Sequence, residues 1–570
     1  MIARRSFVFV VVVTVCVAGV FAAHQMLAPR ELTLAGIMPE GALFYLESPD
    51  FHVLLSDWSN SPEKQAWLKS DNYAVFSQSR LFGRLSQAQA EFATTAGLSP
   101  DMQLVAQVAG KESAFAWYDI GKLEFLYITH LPSASFSQSE LWQSRSKFES
   151  RQSGQTIFYV RTDPESQRTV AFASVDDWVV LGTREDLVAN ALALIGSPQS
   201  HTLHDEPWYA DSVAAAKAPG DLRMVLNLEK LVPSPYFRSY WIQQNVTEMK
   251  QYRAAISDLS RSKQTYREER VLLRKAAADN TPITADISQL AAAAPASIGF
   301  YRAMVAPTPQ RTIDILKDKL LDPRPHSEAS YQYAPGVPMT DQTAGQTSDL
   351  DTRIDKAPPE PKNVDVWQPL QSILAAAQVD GILVCDSTAL PDGEAFAHIY
   401  SAVVLSAENN WDIERLKSAL SSALESQIST SRLGLSWKDQ RGYSELDGLL
   451  NLVLQVHGKY LFLSNDPALL LALQNQLKHK PSSSAPAVYV SGFNHEQESG
   501  KFRRIGTFID RAGMRGGAAR SDDPSEPRQP AFFSGNTASF SQVFSGVASE
   551  SMVVRNAGQN VTQTVTYQWR

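Results

Sequence analysis

The chain has 570 residues, room for two to four domains, and its 44% hydrophobic and 20% charged content is ordinary for a protein with folded cores. Its net charge is -8 and it has no Lys/Arg-rich block, so nucleic acid is excluded as an expected partner. Of its two cysteines, Cys16 lies inside an apolar N-terminal run, which leaves Cys385 without an intramolecular disulfide partner beyond it.

The N-terminus comes first. "MIARRS" is basic, and "FVFVVVVTVCVAGVFAA" (Phe7 to Ala23) is uncharged. That is the pattern of an export signal. As a helix the apolar run rises about 25 Å, close to the thickness of a bilayer's hydrocarbon core. Residues 1–30 are therefore expected to form a signal-anchor or transmembrane helix with a short linker. Arg4 and Arg5 stay cytoplasmic under the positive-inside rule, and the rest of the chain is extracytoplasmic. The expected location is the inner membrane, single-pass, with the bulk periplasmic. The alternative is secretion after cleavage near Ala22.

Next comes a pattern that recurs. "LAGIMPEGALFYLES" from Leu34 resembles "LAAAAPASIGFYRAM" from Leu290, with Phe44 and Tyr45 set against Phe300 and Tyr301. "DDWVVLGTREDLVANALALI" matches "GKYLFLSNDPALLLALQNQL" as strand, cap and amphipathic helix. Thr183 and Asn465 stand where helix N-caps belong, and Glu185 and Asp186 oppose the helix dipole. Each strand is the second of a hairpin, with turns read as "DD" and "HG". A third match sets Val225, Leu228, Phe237 and Arg238 against Val490, Phe493, Phe502 and Arg503. All three matches keep the same order.

The fold class is accordingly α+β: two tandem copies of a mostly antiparallel sheet-plus-helix module behind an N-terminal membrane helix. Copy one spans 31–280 and copy two 285–570. Insertions at about 325–365 and 512–531, rich in Pro, Gly and polar residues, are expected to be disordered. Within copy one, helices are expected around "SPEKQAWLKS", "SRLFGRLSQAQAEFATTAG" and "SQSELWQSRSKFES", and strands at "DMQLVAQVAG", "ESAFAWYDI" and "EFLYITHL". From Tyr236 to Asn280 the expectation is helix to about Tyr252, then strands near Ala254–Leu259 and Tyr266–Arg274. One long helix is the alternative.

The export helix, "MPEGALFYLE" and "WVVLGTREDLVANAL" resemble large bacterial envelope proteins built around a domain of unknown function. The resemblance implies a recurring strand, Gly-Ser/Thr, helix module and no known activity. Met38 and Glu40 flanking Pro39 depart from the usual opening of that family.

Chemistry is sparse. There is no P-loop, no dinucleotide fingerprint, no nucleophile elbow and no His-Glu-x-x-His. Cys385 in "GILVCDS" reads as a buried small hydrophobe. His201, His204, Asp205 and Glu206 in "HTLHDEPW" carry metal-ligand chemistry, but the spacing fits a solvated loop better. Tyr236, Phe237, Tyr240 and Trp241 share a helix face that reads as core. No catalytic, cofactor or metal residue is assigned, and no cofactor is expected. The expected function is a membrane-anchored, non-enzymatic binding or envelope-scaffold module whose partners are the membrane and an envelope protein. The alternatives are a carrier or sensor of a hydrophobic ligand, and a hydrolase with an unrecognised site.

Overall fold

The computed structural model describes residues 33–69, 73, 76–78, 80–196, 201–234, 249–275, 287–306, 308–321, 365–389, 398–428, 435–447, 451–477, 486–501 and 546–570. The expected membrane helix, the proposed disordered insertions (the first of them up to residue 364), the aromatic group Tyr236 to Trp241, and Arg238, Phe502 and Arg503 of the third match lie outside them. No helix among the described residues is long and apolar enough to cross a membrane. The chain forms two compact units. Apart from 66–72 and 262–267, the first takes in residues up to 278 and the second those from 279 onward.

Unit one begins with β1 (Phe44–Ser48), followed by helices α1 (Phe51–Ser59), α2 (Pro62–Leu68), α3 (Arg80–Ala96) and α4 (Met102–Val108). Then come β2 (Ser113–Asp119), β3 (Glu124–His130), β4 (Glu149–Ser153), β5 (Thr156–Thr162), β6 (Thr169–Val175), β7 (Trp178–Gly182) and α5 (Glu185–Gly196). It ends with α6 (Pro207–Ala215), β8 (Leu222–Asn227), β9 (Tyr252–Arg261) and β10 (Thr265–Arg274). The sheet order is β10-β9-β8-β1-β2-β3-β7-β6-β5-β4, antiparallel from β9 to β4.

Unit two runs β11 (Phe300–Val305), α7 (Pro309–Leu316), α8 (Gln368–Ala377), β12 (Val379–Ala389), β13 (His398–Ala407) and α9 (Ile413–Ile428). It continues with β14 (Ser436–Gln440), β15 (Tyr443–Asp447), β16 (Leu452–His457), β17 (Tyr460–Ser464) and α10 (Pro467–Leu477). The last strands are β18 (Tyr489–Phe493), β19 (Val547–Ala557) and β20 (Asn560–Trp569). Its order, antiparallel throughout, is β20-β19-β18-β11-β12-β13-β17-β16-β15-β14. Position by position, this is the order of unit one. Mixed helix and antiparallel sheet place the protein in the α+β class.

The correspondence reaches single bonds. Phe125 N–H donates to Thr183 Oγ1 at 2.8 Å, and Ser401 N–H donates to Asn465 Oδ1 at 2.8 Å. In both units a side chain just past the hairpin lengthens the ladder by one bond. Neither residue is the helix cap expected of it. In unit two Asp466 caps α10, its Oδ2 accepting from Leu469 N–H. The β6–β7 turn is Asp176–Asp177, with φ of 47° and 63°. That is the left-handed pair favoured in two-residue hairpins. Its partner turn is Gly458–Lys459, one residue later than "HG".

Other expectations need correction. Residues 102–108 form a helix, because Asp101 after Pro100 accepts from Gln103 and Leu104 N–H and starts it. "SQSELWQSRSKFES" (Ser137–Ser150) forms one four-residue helix, Glu140–Gln143, a 3-10 turn, Ser144–Lys147, and the start of β4. The third repeat match is two residues out of register. Tyr45 pairs with Val225 while Tyr301 pairs with Gly492, so Val225 corresponds to Gly492 and not to Val490. A Cβ on Gly492 would lie 2.3 Å from the Tyr301 ring, which is why glycine serves there. β9 and β10 match the strands expected near 254–259 and 266–274, so the long helix is overturned.

Each sheet packs on both faces. In unit one, Ala114, Ala116, Leu126, Ile128 and Val180 face α5 and α6. On the opposite face Phe172, Val170 and Val179 meet Phe92, Phe136 and Phe148. Unit two repeats this with Leu383, Cys385 and Phe462 toward α10, and Val384, Val403 and Leu463 toward α7, α8 and α9.

Candidate functional site: an apolar cavity in unit one

Strand alternation sends Ser113, Phe115 and Trp117 of β2, Phe125 and Tyr127 of β3, and Leu181 of β7 to the α3 side of the sheet. Across from them α3 presents Leu85, Ala88, Gln89 and Phe92, one stripe at helical spacing. Leu104 and Val108 of α4 and Phe51 of α1 close the sides. Between these layers lies a cavity of about 520 Å³. That falls within the roughly 300–1,000 Å³ usual for small-molecule pockets.

The helical cover is lightly anchored. α1 has no buried residue. In α3, Phe92, Thr95 and Ala96 near the C-terminal end are buried, whereas Leu85 lines the cavity and is still 39% exposed. A pair of charges fastens the helix where its buried part begins. Arg168 donates twice to Glu91 Oε2, at 2.6 and 3.2 Å, and its third nitrogen donates to Lys122 O at 2.7 Å. The Arg168 side chain is 9% exposed, so this pair is held in largely desolvated surroundings.

Most polar groups in the wall are committed within the fold. Ser48 Oγ donates to Asp221 O at 2.9 Å, and Tyr127 Oη donates to Val108 O at 3.1 Å. Ser113 Oγ lies 2.6 Å from Thr129 Oγ1. Glu47 Oε2 accepts from Tyr45 Oη at 2.7 Å. Burial pushes the Tyr127 hydroxyl above its ordinary range, keeping it protonated and donating. Trp117 Nε1 is a buried donor with no hydrogen-bond partner among the described residues. The lining residues include neither His nor Cys, and no serine in the wall touches a base. This arrangement suits binding of apolar matter.

The residues singled out in the sequence lie elsewhere. Asp205 and Thr202 form a capping box, Thr202 Oγ1 donating to Asp205 Oδ2 at 2.8 Å. Glu206 accepts from Trp208 Nε1 at 2.9 Å, and His201 sits 3.5 Å from Glu40. "HTLHDEPW" is thus not a solvated loop. It leads into α6, whose Trp208 and Tyr209 are buried, Tyr209 packing edge-on to Tyr45. No group of three or more His, Cys, Asp or Glu among the described residues is placed to hold a metal ion. Cys385 is fully buried, and burial pushes its thiol up, away from the reactive thiolate. The cavity itself went unread in the sequence. Its one trace is β2, where Phe115 and Trp117 alternate with Ala114 and Ala116.

No protein-family model matches the chain, and no curated protein does. Among solved structures, crystal form I of TP0453 aligns with 44% of this chain and 81% of its own, at 13% identity and a TM-score of 0.23. Crystal form III aligns with 44% and 83%, at 11% identity and 0.24. These likenesses are too distant to guide a reading of the site, which rests on the cavity's own chemistry.

Proposed function

We propose that the chain is a non-catalytic binding protein of the bacterial envelope, anchored by its N-terminal apolar helix, and that unit one carries a hydrophobic ligand. The observation behind this reading is the 520 Å³ cavity, whose wall is apolar and whose hydroxyls and charges are spent on the fold. Such a wall rewards removal of hydrocarbon from water at roughly 0.8 kcal/mol per methylene. Ten buried methylenes supply about 8 kcal/mol toward binding, part of which offsets the freedom the ligand loses. The common strand order and the paired Thr183 and Asn465 bonds support a tandem duplication of one module, with the ligand site elaborated in the first copy.

The test is titration with N-phenyl-1-naphthylamine, a neutral probe that brightens in apolar surroundings. One saturable site is expected, and Ala88→Trp, which fills the cavity from α3, removes it. Absence of saturable binding, or an Ala88→Trp variant that binds like the parent, overturns the reading. Fractionation with and without detergent tests the anchor: release without detergent rejects it.

A further inference from the structure

Within the apolar wall lies one compact group of buried hydroxyls. Ser113, Tyr127 and Thr129 are 3%, 9% and 0% exposed, and the first two line the cavity. Their protons can be traced. Tyr127 Oη donates to Val108 O at 3.1 Å. Thr129 Oγ1 accepts from Gly110 N–H at 3.0 Å, and its own proton has one neighbour, Ser113 Oγ at 2.6 Å. Ser113 in turn donates to Lys111 O or to Tyr127 Oη, each at 3.3 Å. Each hydroxyl has one proton and two lone pairs. All three protons therefore have acceptors within the fold, while lone pairs remain free on Ser113 Oγ and Tyr127 Oη. The group can accept a hydrogen bond and has none left to give.

The wall is just as selective about charge. Its cation, Arg168, is neutralised by Glu91 and bonded to Lys122 O. An anionic head group would meet no free positive charge and hydroxyls with only lone pairs to offer, and the unpartnered donor of the wall, Trp117 Nε1, is itself buried out of its reach. Leaving such a charge in an apolar cavity is costly.

Building on the proposal that unit one binds an apolar ligand, we infer that this ligand is a neutral amphiphile carrying a hydroxyl, a long-chain alcohol in chemical class, and that Ser113 and Tyr127 select it. The apolar body fills the space under α3. The hydroxyl donates to the lone pairs at the Ser113 end of β2, and this bond fixes which way the ligand lies. Specificity of this kind, a few placed polar groups in an apolar pocket, orients the ligand more than it tightens binding.

The experiment is displacement of N-phenyl-1-naphthylamine from the full chain by 1-hexadecanol, methyl palmitate and palmitate. The alcohol is expected to compete roughly threefold to tenfold better than the ester, the span of one net hydrogen bond. Palmitate is expected to be weakest. Ser113→Ala should bring the alcohol down to the ester while leaving the ester unchanged, and Ser113→Thr should restore the preference. Tyr127→Phe keeps the ring and removes the second acceptor, so it tests the same point if Ser113→Ala fails to fold. Equal competition by alcohol and ester, with the probe still bound, overturns the hydroxyl preference and leaves the apolar ligand standing. Failure of the probe itself to bind overturns both.

Discussion

The two units present the same sheet face to their helices, yet one encloses a cavity and the other is packed with side chains. The register makes the comparison residue by residue. Ser113, Phe115, Tyr127 and Leu181 of unit one correspond to Ile382, Val384, Val403 and Leu463 of unit two. The unit two set is at most 1% exposed, and its helices bury Leu316, Leu370, Leu374, Leu416 and Leu420 against it. In unit one the strand residues are more aromatic, but α1 buries nothing and, among the described residues, α3 buries only its last part. The Trp117 position is also telling. Its counterpart is Asp386, which pairs with Lys319 at 2.7 Å and accepts from Ser401 at 2.7 Å. Where unit two fastens its cover with a charge pair at that position, unit one sets aromatic rings along an open space. A scaffold can thus keep its topology while what its covering helices bury decides whether space is left between sheet and helix.

The largest effect expected from this comparison lies at a second pair of equivalent positions. Arg223 faces Asp258 across β8 and β9, with contacts of 2.7 and 3.0 Å and side chains 7% and 8% exposed. Asp258 also accepts from Gly220 N–H, and Arg223 donates to Lys217 O. The equivalent residues of unit two are Val490 and Val553. Removing one partner of a buried pair strands the other charge, whereas replacing both by packed apolar groups is often neutral. Asp258→Asn is therefore expected to lose roughly 3–5 kcal/mol, read from the denaturant midpoint of unit one. The double change Arg223→Val with Asp258→Val, which copies unit two, should recover most of that loss. A double variant no more stable than Asp258→Asn would mean that the two units differ here in more than one pair of side chains.

Much of this architecture was legible in the sequence, for local reasons. The hairpin and helix of each unit announce themselves through an apolar run, a turn and a helical stripe, and β9 and β10 through the strand-like C-terminal segment that stands as their counterpart in the second half. Misreadings arose where a polar side chain had two uses. Thr183 and Asn465 sit one residue too early to cap and reach across to the neighbouring strand. Asp101, read as strand, is the cap that turns 102–108 into a helix. The register slip at Val490 came from matching like with like, when the true counterpart of Val225 is a glycine making room for Tyr301. The cavity could not be read at all. The α3 stripe of Leu85, Ala88 and Phe92 has the same period whether the helix lies on the sheet or stands off it. Separation depends on what the other helices bury, a property of the assembled fold.

A smaller effect tests the cavity without any ligand. Leu181 and Leu463 are the same residue at the same place in β7 and β17, so truncating each to alanine removes identical atoms. Leu463 is 1% exposed and surrounded by the unit two core, and Leu463→Ala leaves a void that its neighbours cannot fill. The expected loss is about 2–5 kcal/mol. Leu181 is half-buried and borders space that already exists. Its truncation sacrifices part of a side chain's transfer energy and adds little new cavity surface, so roughly 1 kcal/mol is expected. Denaturant midpoints of the two single variants give the ratio directly. Equal losses would mean that the space beneath α3 closes up in solution, and the contrast between the two units would then be one of sequence alone.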